Sequence, residues 1–322
     1  MSGDLSSRSG IMLAIFESIL PVFLLVVLGA LLKRWRLIDR DMWNGLEQLG
    51  FFVLFPCLLF TTLAKAEFSG IAAGDIAIGS IGSVTLIALM LAIGWPLFRA
   101  AGVSAASYTS VFQTSTRWNA FIALAIAEKL YGPQSLALVA LVATLIIIPI
   151  NLYNIGVLVW FGGGTRSLKI FAHKILTNPM IIGSVLGVSI NLLGIKIYDP
   201  LMQATELVAD ASLSLGLIMV GAGLKLADAL RPRPLALLPV VLKLVFMPLI
   251  MTGAAYALGM RGEPLLTIAM GASVPTAMNG YVLAKQMGGD APLYAAVATL
   301  QTIASFFTIP MVLAATAYLA GG

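Results

Sequence analysis

Two polar stretches interrupt a chain that is otherwise strongly apolar. The first reads Gln113-Thr114-Ser115-Thr116-Arg117-Trp118-Asn119, and the second reads Gly271-Ala272-Ser273-Val274-Pro275-Thr276-Ala277-Met278-Asn279-Gly280. These residue types suit recognition of an anion better than catalysis. The planar fork of an arginine matches a carboxylate, and hydroxyls and amides add neutral partners. A proline or a polar run inside a helix frees backbone N–H and C=O groups, which survive at membrane depth only when buried in protein or facing a wet cavity. The helix that resumes after such a break presents an N-terminus with about half a positive charge and unused N–H donors. Thr116 and Thr276 are the expected caps of the resuming segments. Asn119 and Asn279 would add amide groups from opposite sides. The candidate binding residues are therefore Thr116, Arg117, Asn119, Ser273, Pro275, Thr276 and Asn279.

Competing readings attach to each. Arg117 has an internal partner available in Asp210 or in backbone carbonyls, Pro275 admits a plain kink, and the two asparagines admit a role as interhelical glue. Asp210 is itself a candidate for binding a coupling proton or sodium ion. Catalytic, metal and cofactor chemistry is not expected. The chain has one cysteine, Cys57, and one histidine, His173, which allow neither an intrachain disulfide nor a metal cluster. His173 reads as a surface residue. No GxxxxGK[ST] loop is present, so direct nucleotide drive is unsupported.

The elements that must position these residues follow from composition. Of 322 residues, 60% are hydrophobic and 10% charged, against about 25% charged in a soluble domain. A spanning helix needs about 20 apolar residues. Ten such spans are predicted, at 11–33, 43–63, 71–98, 106–129 and 134–161, then 171–194, 201–225, 234–259, 264–287 and 291–319. Span 1 is followed by Lys33, Arg34 and Arg36, the reverse of a cleavable signal, and reads as a retained helix. The joins after spans 1, 3, 5, 7 and 9 carry twelve basic residues and the other side five. The richer side should be cytoplasmic, with both termini outside. That asymmetry accounts for the net charge of +5 without nucleic acid. Lys243, about nine residues into span 8, is expected to snorkel to the cytoplasmic face. Glu128 and Lys129 read as interfacial, and Gly221 and Gly223 as sites of close helix packing.

The two halves, 1–161 and 162–322, repeat. Pro21 and Gly29 match Pro179 and Gly187 at the same spacing of eight, while Lys65 with Lys225 and Asn119 with Asn279 share an offset of 160. Five spans per repeat is odd, so the second half enters from the opposite face. The expected fold is an all-α integral membrane protein of two inverted five-helix repeats, with breaks in spans 4 and 9 meeting near the midplane.

Arg117-Trp118-Asn119 leading to Leu130-Tyr131-Gly132, Ser273 to Asn279 through Ala284-Lys285, and Leu213 to Leu226 together resemble the auxin efflux carrier family over essentially the whole chain. The short join from Gly162 to Lys174 is similar to that of bacterial members described as malonate or malate permeases. The resemblance implies the fold of bile-acid sodium symporters, with spans 4 and 9 crossing at the substrate. Spans 1, 2, 6 and 7 would form a scaffold and spans 3–5 and 8–10 a moving transport unit. It also implies a homodimer through the scaffold, embedded in lipid in a bacterial inner membrane. Many members carry Gly and Pro shortly after the span-4 asparagine, where this chain has Ala123 and Ala125, so the first break should be the milder. The function these readings converge on is alternating-access carriage of a small mono- or dicarboxylate. A sodium-coupled symporter of bulkier amphipathic solutes, a membrane-embedded enzyme and a channel are the rivals.

Overall fold

An apolar segment in hydrocarbon must satisfy its own backbone, which leaves helix as the available form for runs of this length. The computed structural model describes residues 2–67, 73–161, 176–230 and 233–320, and among them the regular structure is helical throughout. The first half contains α1 (Ser2–Arg34), α2 (Arg40–Leu49), a π-helical turn (Gly50–Leu54), α3 (Phe55–Ala64), α4 (Ala73–Ala100), α5 (Ala105–Thr116) and α6 (Ala120–Phe161). The second contains α7 (Pro179–Leu193), α8 (Asp199–Gly223), α9 (Leu226–Ala229), α10 (Leu237–Val241), a second π turn (Leu242–Phe246), α11 (Met247–Ala257), α12 (Gly262–Ala272), α13 (Asn279–Gln286) and α14 (Ala291–Ala320). The predicted start of span 6, the Gly162–Gly164 join, His173 and Arg231 lie outside the described residues.

Among the described residues seven stretches are long and apolar enough to cross a bilayer, against the ten spans expected. The difference has a physical origin. Ala105–Phe161 counts as one stretch of 57 residues, long enough for two crossings at 1.5 Å per residue. It is interrupted at 117–119 and again at Gly132, whose φ of 77° and ψ of −162° only glycine adopts easily. α7 has 15 residues, and α12 and α13 have 11 and 8, each too short alone.

The helices sort into two groups by packing. α1 lies along α8, and α3 lies along both α7 and α8. Small residues allow these approaches. A Cβ on Gly221 would strike the Val26 carbonyl, and one on Gly29 would strike the Ile218 carbonyl. Gly187 sits in the same way against Phe60 on α3. In the other group α4, α5, α6, α11, α12 and α14 pack on one another. Its core is a cluster around Tyr108, Phe112, Val142, Met247, Ile268 and Val297. A second core, including Phe23, Phe55, Ile122, Leu213 and Met270, joins the two groups. The breaks in the helical path fall where these layers meet.

Candidate functional site

The two interruptions touch. α5 ends at Thr116, Arg117 turns into extended backbone (φ −67°, ψ 157°), and α6 begins at Ala120. The second gap runs from 273 to 278, before α13. The Asn119 N–H donates to the Pro275 carbonyl at 3.0 Å. Beside it, the Trp118 indole N–H donates to the Gly271 carbonyl. The first gap is half the length of the second, in keeping with Ala123 and Ala125 after it and Pro275 within the other.

Capping differs from expectation. Asn119, not Thr116, caps α6: its Oδ1 accepts the Ile122 N–H at 3.2 Å. A cap must immediately precede the first helical residue, and the three-residue gap moves that position past Thr116. The Thr116 hydroxyl instead lies 2.9 Å from the Phe112 carbonyl and 3.0 Å from Asn154 Oδ1. Thr276 is likewise three residues short of α13, which starts without a side-chain cap. Its N–H donates to Gln301 Oε1 at 2.9 Å, and its hydroxyl lies 3.3 Å from the Tyr294 hydroxyl.

Arg117 is 3% exposed. Its Nε donates to Gln113 Oε1 at 3.2 Å, one turn back on α5. Arg117 Nη2 and Gln113 Nε2 are both buried without an acceptor. Leaving buried donors unfilled costs about 1–3 kcal/mol each. No carboxylate pairs with Arg117 among the described residues. Asp210 is exposed on α8 and is not its partner, so the structure does not bring Asp210 to the crossing.

Several carbonyls at the breaks are in use. Gln113 O accepts the Arg117 N–H, Ala269 O accepts the Ser273 hydroxyl at 2.6 Å, and Ala277 O accepts the Tyr294 hydroxyl at 2.5 Å. Thr114 O accepts from Gln301 at 3.0 Å. With Pro275 O and Gly271 O also taken, the unfilled side-chain groups of Arg117 and Gln113 are donors. Among the described residues no group of His, Cys, Asp and Glu is placed to hold a metal.

Sequence reasoning missed Gln301. It is fully buried on α14, and its Nε2 also donates to the Pro239 carbonyl at 2.9 Å. One amide thus ties the end of α5, the second gap and α10 together. The available signal was a lone glutamine deep in an apolar run, which in a membrane is by default a functional residue. Asn154 was missed for the same reason.

Of the expected site residues, Thr116, Arg117, Asn119, Ser273, Pro275 and Thr276 are gathered and buried, whereas Asn279 is exposed. Lys243 also departs from expectation. It is 1% exposed in the second π turn and does not snorkel, because α5 and α14 pack over that turn.

A family model described as membrane transport protein matches residues 14–159 and 164–313. An "Uncharacterized transporter" of Methanothermobacter thermautotrophicus is 25% identical over 298 residues, covering 92% of this chain and 96% of that protein. A protein of Oryza sativa subsp. japonica described as "Probable auxin efflux carrier component 5a" is 23% identical over 319 residues, covering 83% of this chain and 87% of that one.

Proposed function

The chain belongs to the membrane transport protein family and is a transporter of the auxin efflux carrier type, not an enzyme; we propose that its cargo is a small organic anion, a mono- or dicarboxylate, bound at the meeting point of the two breaks. The observation that carries this is the pair of unfilled buried donors, Arg117 Nη2 and Gln113 Nε2. They flank the turn from α5 into α6, where a carboxylate would receive charge-assisted hydrogen bonds. The N-terminus of α6 adds favourable field. A sodium-coupled reading is less favoured, because the side-chain groups left unfilled at the crossing are donors, which repel a cation.

In this proposal α1, α2, α3, α7 and α8 form a static scaffold. The rest, carrying both breaks, moves against it to alternate access. The heavier packing of α1 on α8 and of α3 on α7 and α8 supports the division, with α1 also touching α6 and α14 across it. A ten-span inverted repeat is supported by two hydroxyl pairings, in which Ser107 and Thr267 lie 160 positions apart and each bonds to the other half of the chain. Ser107 donates to Asp290 at the start of α14 at 2.9 Å, and Thr267 lies 2.8 Å from Ser135, shortly after Gly132. In the same proposal the membrane's inner face lies at the joins after α1 and α4, where basic residues gather, and both termini lie outside, the membrane being a bacterial inner membrane. A scaffold-mediated homodimer, and a proton, a sodium ion or the substrate gradient as driving force, complete the proposal. Asp210 is kept as the proposed coupling-ion residue.

The test is counterflow in proteoliposomes loaded with unlabelled carboxylate. Saturable accumulation of labelled carboxylate, lost in Arg117→Ala, is expected. Non-saturable flux, or flux indifferent to Arg117→Ala, contradicts the assignment.

A further inference from the structure

Lys243 is a second deeply buried cation that the crossing does not absorb. It lies in the π turn Leu242–Phe246 and is 1% exposed. The elements packed on this turn are α5 and α14, with α10 and α11 continuing the same helix. None of these four, nor the turn itself, contains an aspartate or glutamate. No hydrogen bond or ion pair of its ammonium group is found among the described residues. Keeping a side chain this buried charged without a counter-charge is costly, so a purely structural role would be better filled by leucine or methionine.

Its place relative to the crossing is fixed through Gln301. Pro239, one helical turn before Lys243, accepts from Gln301 Nε2 at 2.9 Å, and the same side chain holds Thr114 O and the Thr276 N–H. A turn is 5.4 Å, so Lys243 lies on the order of 10 Å from the meeting of the breaks. α5, which ends at the first break, and α14, which carries Gln301, both pack on the turn that holds the lysine.

We infer that Lys243 supplies, through space, a second positive charge that strengthens binding of the anion at Arg117. This rests on the anion reading of the crossing and extends it to a residue outside the contact set. Its signature is electrostatic. A unit charge about 10 Å away in an effective dielectric near 20 changes affinity for a monoanion by roughly tenfold, and for a dianion by roughly a hundredfold. A packing role would weaken both alike.

The experiment measures binding of acetate and malonate to the purified full-length chain in nanodiscs, for wild type, Lys243→Met, Lys243→Gln and Lys243→Arg. In the methionine variant, about tenfold weaker acetate binding and about a hundredfold weaker malonate binding are expected. Lys243→Arg should stay near wild type. Lys243→Gln repeats the neutralisation with a polar side chain, should the methionine variant fail to insert. Equal losses for the two anions, or none, overturn the inference while leaving the Arg117 site standing. A wild-type protein that binds neither anion overturns the anion reading and this inference with it.

Discussion

Replacing Arg117 with alanine probes the charge at the crossing most simply. Among the described residues the guanidinium is held by one bond, Nε to Gln113 Oε1 at 3.2 Å, and Nη2 and Gln113 Nε2 are without acceptors. A carboxylate bridging them would gain a charge-assisted hydrogen bond of about 1.5–3 kcal/mol from Arg117, and truncating a buried charged partner costs about 2–5 kcal/mol. Taking about 3 kcal/mol, Arg117→Ala should raise the carboxylate Kd by about two orders of magnitude. The ligand-free protein should behave in the opposite sense. Removing a buried, unpaired cation relieves desolvation, so its melting temperature should hold or rise. Arg117→Lys keeps the charge but not the fork, and should lose about tenfold. Thermal shift over a carboxylate titration reads both effects, since a ligand that binds only the folded state raises its apparent stability. Arg117→Ala with affinity within threefold of wild type would refute the reasoning. So would a large fall in ligand-free stability, which would mean that the guanidinium is a structural member.

Other substitutions test the supporting frame. Gln301→Ala leaves Thr114 O, Pro239 O and the Thr276 N–H without their partner, and should lower stability by about 2 kcal/mol or more and stop transport; a denaturation curve matching wild type would show the tie to be dispensable. Asn119→Ala removes the cap of α6 and should cost about 1 kcal/mol, read as a lower melting temperature, with Asn119→Ser restoring most of it. Gly221→Val puts a side chain on the Val26 carbonyl and should collapse the yield of folded protein. Gly253→Ala, which meets nothing within 4 Å, should be neutral or slightly stabilising; size-exclusion profiles of the two distinguish a close approach from a general intolerance of larger residues.

Much of this frame could be read from the chain alone, because its strongest signals are local. A charged Arg117 and a Pro275 inside apolar runs announce breaks, and both breaks are present. Gly29 and Gly187, matched by spacing, both lie in close helix contacts. What was not legible depends on partners far apart in sequence. The role of Gln301 rests on bonds to residues 187, 62 and 25 positions away. The linear position of Lys243 suggested an escape to the surface, but which helix face it occupies is set by the π turn and by α5 and α14. The capping error came from gap length: a three-residue gap makes Asn119 the cap, and sequence does not show where extended backbone ends. The number of spans was not legible either: broken helices such as α12 and α13 are each too short to count as a crossing alone.

The most direct test of the central claim is a structure of the full-length chain in lipid with malonate present. A carboxylate oxygen is expected within hydrogen-bond distance of both Arg117 Nη2 and Gln113 Nε2, beside the Asn119–Pro275 contact. Malonate seated elsewhere, with Nη2 turned onto a protein carbonyl, would contradict it.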